Sequence, residues 1–107
     1  MEDIHNSIRI AADKRILYGI HALDEMNAET ELITKDEVRE VGYNGEIIED
    51  YPEDKRGHSC LLMNVTKNNR PVHVVCAPKD EYLAVITVYA PTPDKWEPGF
   101  KVRRKKP

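Results

Sequence analysis

RPVHVVCAPKDEYLAVITVY, residues 70–89, decides how this chain folds. Two runs rich in β-branched and aromatic residues, Val72–Ala77 and Tyr82–Tyr89, are separated by Pro78, Lys79, Asp80 and Glu81. So short a break between strand-like runs predicts an antiparallel hairpin. Alternation puts Val72, Val74 and Cys76 on one face of the first run and His73, Val75 and Ala77 on the other. In the second run Leu83, Val85, Thr87 and Tyr89 oppose Tyr82, Ala84, Ile86 and Val88, the latter set being the more apolar. If helices cover only one face, His73 can share the other with Thr87 and Tyr89, with Arg70 at the mouth of the hairpin. A slip of one residue would separate them.

Working towards the N-terminus, SCLLMNVT at 59–66 reads as another strand, joined to the hairpin by KNNRP, where Asn68 and Asn69 tolerate the left-handed region. EIIEDY at 46–51 reads as a strand that Pro52 ends. Before it the periodicity becomes helical. Thr34 and Glu37 have the capping-box spacing that starts a helix, and Asn44 and Gly45 suit its end through positive φ. Ala22 and Met26, four apart, place a second helix in residues 21–30. Ile4, Ile8, Ala11 and Ala12 predict a first helix from Glu2 to Leu17, with Gly19 interrupting after it. The expected fold is α+β: two or three N-terminal helices packed on one face of a four-stranded, mainly antiparallel sheet, in a single domain over residues 1–107. Beyond the hairpin, Pro91, Pro93 and Pro98 keep residues 90–100 from pairing as a central strand, so they run along an edge or across the sheet.

With 40% hydrophobic and 33% charged residues, the composition is that of a soluble globular chain rather than a disordered one. No apolar run is long enough to span a bilayer, and the first ten residues lack the basic-then-apolar order of a signal peptide, so a cytoplasmic protein without membrane contact is expected. Cys60 and Cys76, in strand-like surroundings without metal-site spacing, read as buried free thiols. Charge is polarised. Residues 1–54 hold 15 acids against 5 bases, residues 55–107 hold 4 acids against 11 bases, and the net charge is −3. Arg103, Arg104, Lys105 and Lys106 make a basic tail suited to an RNA backbone, although such a tail can equally pair with the acidic half.

Arg70, His73, Thr87 and Tyr89 around one hairpin suit RNA cleavage without a metal or other cofactor. That reaction needs a base for the 2′-hydroxyl proton, an acid for the departing 5′-oxygen and a cation against the charge that grows on phosphorus. Histidine can act as base or acid near neutrality, arginine binds phosphate oxygens through its fork, and the hydroxyls of Thr87 and Tyr89 can orient the strand. His21, at the start of the second helix, is a candidate for a second proton transfer. The competing reading makes His73 a satisfied, half-buried residue and the chain a non-enzymatic RNA- or protein-binding module. His58 beside Cys60 hints only faintly at metal, with His73 and acids of YPED as further ligands in a metal-dependent alternative. Trp96 and Tyr51 can stack on a base or simply pack.

The blocks HALDEM, TKDEVREV, NGEIIEDYPEDKRGHSCLL, RPVHVVCA and ITVYAPTPDKWEPGFKVR, in this order, resemble the family called domain of unknown function 4258, from about Ile16 to Arg104. That family is thought to resemble the RelE and barnase-like RNase toxins. The resemblance implies a RelE-like fold, a toxin-like ribonuclease with His21, Arg70, His73, Thr87 and Tyr89 in the recognised blocks, and a small zinc-ribbon-type antitoxin as partner. This chain departs from the pattern at Glu25, where relatives often carry a basic residue, so a phosphate contact from that position would be missing.

Overall fold

The computed structural model describes residues 3–28 and 32–105. Its helices are α1 (Ile4–Lys14), α2 (Ile20–Met26) and α3 (Lys35–Asn44), and its strands are β1 (Ile16–Tyr18), β2 (Glu46–Tyr51), β3 (Ser59–Val65), β4 (Pro71–Pro78) and β5 (Leu83–Tyr89). They form one sheet in the order β1-β5-β4-β3-β2. β2 to β5 are antiparallel neighbours, whereas β1 runs parallel to β5, so the sheet is mixed and has five strands, not four.

The extra strand lies at the end of the expected first helix. α1 stops at Lys14 because its buried stripe, Ile8, Ala11 and Ala12, is complete there, and Arg15 turns extended at φ −172°. Ile16 and Tyr18 then reach the core from a strand, aligned with Leu83 and Val85. Gly19 caps α2, which begins one residue before the expected start; residues 29 and 30 of the expected helix lie outside the described residues. α3 carries the capping box read from sequence, with Thr34 Oγ1 accepting from the Glu37 amide and Glu37 accepting from the Thr34 amide, each at 3.1 Å. Gly45 ends it at φ −69°, so the expected positive φ is not used; what requires glycine is space, since a Cβ would lie 2.4 Å from the Val41 carbonyl oxygen.

The core fills the space between the helices and the sheet. Ile8, Ala22, Val38 and Val41 meet Cys60 and Leu62 of β3, Val72, Val74 and Cys76 of β4, and Leu83, Val85 and Val88 of β5. The alternation of β4 is as expected. That of β5 is broken by a bulge between the Val75–Thr87 and Cys76–Val85 pairs, which keeps Leu83 and Val85 inward before it and Val88 inward after it. Thr87 and Tyr89 therefore do share the outer face with His73, whose direct cross-strand partner is Tyr89. At the β3–β4 turn Asn69 is left-handed, at φ 60°.

Candidate functional site

Around His73 the outer face is closed. His73 is 0% exposed. Its Nε2 lies 2.8 Å from the Phe100 carbonyl oxygen and its Nδ1 3.1 Å from the Tyr89 hydroxyl. A carbonyl oxygen can only accept, so Nε2 bears the proton and Nδ1 accepts from the Tyr89 O–H. Trp96 and Tyr89 stand edge-on to the ring, with centroids 4.4 and 5.1 Å away. Burial lowers the His73 pKa, which keeps the ring neutral at pH 7.

The cover comes from residues 90–105, the proline-containing segment, which runs across the sheet. Gly99 and Phe100 are successive left-handed residues, φ 92° and 57°, in the turn that offers the Phe100 carbonyl to His73. Arg103 lies over Trp96, 4.7 Å from its ring centroid, and forks onto Glu49 of β2 at 2.7 and 3.1 Å. The fork holds the Glu49 pKa below its usual value and raises that of Arg103. Tyr51 also donates to Glu49.

Arg70 does not join His73. Its guanidinium turns to the helix side of the sheet, where it bonds both oxygens of Glu37 at 2.6 and 2.9 Å and the Leu32 carbonyl at 3.0 Å. Thr66 donates to the same carboxylate at 2.8 Å. Together, with the Arg70 bond the largest influence, they hold the Glu37 pKa at about 2. Thr87 stands opposite Val75. The basic tail is largely paired: Lys101 with Glu46 at 2.9 Å, Arg103 with Glu49, and Arg104 with Glu97 at 3.1 Å. Lys105 is exposed, and Lys106 lies outside the described residues. His58 pairs with Asp50 at 2.5 Å, and among the described residues no three His, Cys, Asp or Glu side chains converge as a metal site would need. Cys60 and Cys76 are buried free thiols facing each other across β3 and β4.

Beside this cover a pocket of about 470 Å³ opens where β5 gives way to residues 90–96, lined by Glu25, Tyr89, Lys95, Trp96 and Arg103 among others. Glu25 is there for a backbone reason. β1 pairs only with Leu83 to Val85, so the Val88 amide has no strand partner on that side, and Glu25 Oε1 accepts from it at 2.9 Å. His21, one helical turn earlier, places Nε2 3.5 Å from the same oxygen. Tyr89 gives its proton to His73 and so presents acceptor lone pairs to the pocket; burial pushes its pKa to about 12, so the phenol is neutral. Of the residues singled out from sequence, the pocket unites Tyr89, Trp96 and Arg103, with His21 adjoining. Glu25 and Lys95 were not singled out as functional; the i,i+4 pairing of His21 with Glu25 was the one legible signal.

Helices on one face of a mixed sheet and a polar pocket at the end of its last strand define a small α+β domain with a candidate site beside that strand. A family model described as "Domain of unknown function (DUF4258)" matches residues 18–90, and the chain belongs to that family. The match contains His21, Glu25, Arg70, His73, Thr87 and Tyr89, while Lys95, Trp96 and Arg103 lie beyond it. No curated protein and no solved structure matches the chain. Among the described residues no helix is long and apolar enough to cross a membrane.

Proposed function

We propose that the chain is a toxin-like ribonuclease that cleaves RNA by 2′-hydroxyl attack, without a metal, in the Tyr89 pocket. The observation that carries the reading is the meeting of a carboxylate, a phenol and two cations, Glu25, Tyr89, Lys95 and Arg103, around one opening. Glu25 takes the proton of the 2′-hydroxyl through Oε2, its Oε1 being engaged by Val88 and His21. The 2′-oxygen bonds to phosphorus, the bond from phosphorus to the 5′-oxygen breaks, and His21 as imidazolium protonates that oxygen. Lys95 opposes the charge that grows on the phosphorane, while Arg103, already paired with Glu49, bounds the pocket without binding the phosphate directly. Tyr89 accepts a hydrogen bond from the ribose or base. His73 positions Tyr89 rather than transferring protons itself, and Arg70 fixes α3 to the sheet. A small antitoxin would silence the site by covering this pocket.

The test is cleavage of a single-stranded RNA by the purified chain in excess chelator. Products ending in a 2′,3′-cyclic phosphate are expected, with rates at least 100-fold lower for Glu25→Gln and His21→Ala and no cleavage of the 2′-deoxy oligomer. Intact RNA, or cleavage indifferent to both substitutions, would end this reading. A second reading, a non-enzymatic RNA-binding module, is favoured by the closure of His73 and the commitment of Arg70 to Glu37. It predicts RNA retained uncut, with affinity reduced by Lys95→Ala and not by Glu25→Gln.

A further inference from the structure

The outer face is covered unevenly. Residues 90–105 close it over His73, whereas towards β1 a groove of about 460 Å³ stays open, floored by Leu17, Ala84 and Ile86. Leu17 is 38% exposed and Ile20, at the end of the groove, 81%. β1 is also the edge of the sheet, paired with β5 on one side only. A free edge invites another strand, and proteins commonly protect such edges with charge or proline. β1 offers Ile16, Leu17 and Tyr18 instead.

The groove has a charge of one sign. Arg56 and Lys79 are among its lining residues, and no carboxylate is. Arg56 is neutralised by Asp54 at 3.0 Å. The Lys79 ammonium donates to the Arg56 carbonyl, a neutral acceptor, and makes no ion pair with a carboxylate among the described residues, so its charge is available to an incoming group.

We propose that β1 and this groove dock an extended segment of a partner protein, which adds beside β1 as a sixth strand. Such a segment would lay apolar side chains on Leu17 and Ile86 and carry a carboxylate where it passes Lys79. Backbone pairing would supply affinity, and the apolar floor with one fixed cation would supply selectivity. A second copy of the chain would bring the same basic rim rather than the missing carboxylate.

A random-peptide display library selected against the whole chain tests this, with Leu17→Asp and Ile20→Asp as counter-targets; both side chains are exposed, and unchanged circular dichroism and melting would show that the variants fold. Enriched peptides should alternate apolar residues and include Asp or Glu. The strongest, made synthetically, should shift the amide resonances of Ile16–Ile20, lose at least tenfold in affinity on Ile20→Asp and lose several-fold on Lys79→Ala. Absence of enrichment, enrichment of basic or purely polar sequences, or binding indifferent to Ile20→Asp would overturn the proposal. So would sedimentation showing that the chain alone dimerises and that Ile20→Asp dissolves the dimer.

Discussion

A buried carboxylate depends on the cation that answers it, and Glu37, 3% exposed, depends in this way on the partly exposed Arg70. The folded Glu37 pKa, about 2, lies below the ordinary 4.5. Its stabilisation is therefore complete above about pH 4.5 and is lost as pH falls towards 2, amounting to about 3 kcal/mol. Urea unfolding at pH 7, 4 and 3 should show that loss in the native protein, while Glu37→Gln is weaker at pH 7 and loses less on acidification; parallel curves would refute the assignment. His73 presents a different buried case, a neutral ring with both nitrogens satisfied by Tyr89 and Phe100. His73→Ala would leave a cavity and two unpaired groups, at a cost of about 3 kcal/mol. Trp96 is the single tryptophan and packs on that ring, so its emission should also shift to the red. Unchanged emission would mean that Arg103 and Glu49 hold the segment without the histidine.

Single elements show which constraints are local and which come from packing. Gly45 has a φ open to any residue, yet a Cβ there would meet the Val41 carbonyl at 2.4 Å and Leu62 Cβ at 3.3 Å. Gly45→Ala should therefore push α3 away from β3 and cost about 2 kcal/mol or more in a thermal melt. Gly99→Ala, at φ 92° with no atom within 4 Å, should cost only about 1 kcal/mol. Equal costs would show that backbone conformation, not space, governs Gly45. The same distinction explains what the residues disclosed in advance. The α3 cap, β2, β3 and the β4–β5 hairpin were legible because capping boxes, short turns and period-2 runs are local patterns. β1 was not, because three residues after a helical stripe become a strand only when β5 stands beside them. The shared face of His73, Thr87 and Tyr89 was readable from alternation, but the bulge that turns Val88 inward was not. Nor was the closure of His73, which depends on Trp96 and Phe100, more than twenty residues away in sequence. Arg70 looked like a companion of His73 because the two are close in sequence, whereas its partner on α3 lies 33 residues away.

Across the whole molecule the charge polarity of the sequence becomes a fastening. Lys101 and Arg103 from the basic end hold Glu46 and Glu49 from the acidic half, clamping residues 90–105 over the sheet. Cations committed in this way are poor phosphate ligands, because RNA would have to displace a carboxylate already in place and would approach a chain of net charge −3. Lys95 and Lys105 carry no such ion pair among the described residues. Each phosphate contact on a single strand contributes about −0.7 to the slope of log K against log salt. If the clamp holds during binding, anisotropy of a labelled RNA between 50 and 300 mM salt should give a slope no steeper than about −2. A slope of about −3.5 or steeper would require Lys101, Arg103 and Arg104 to leave their carboxylates, in which case the segment lifts as RNA binds and His73 becomes accessible after all. Solvent exchange of the His73 Nε2 proton followed in the same titration separates the two outcomes, since the Phe100 carbonyl protects that proton unless the segment lifts.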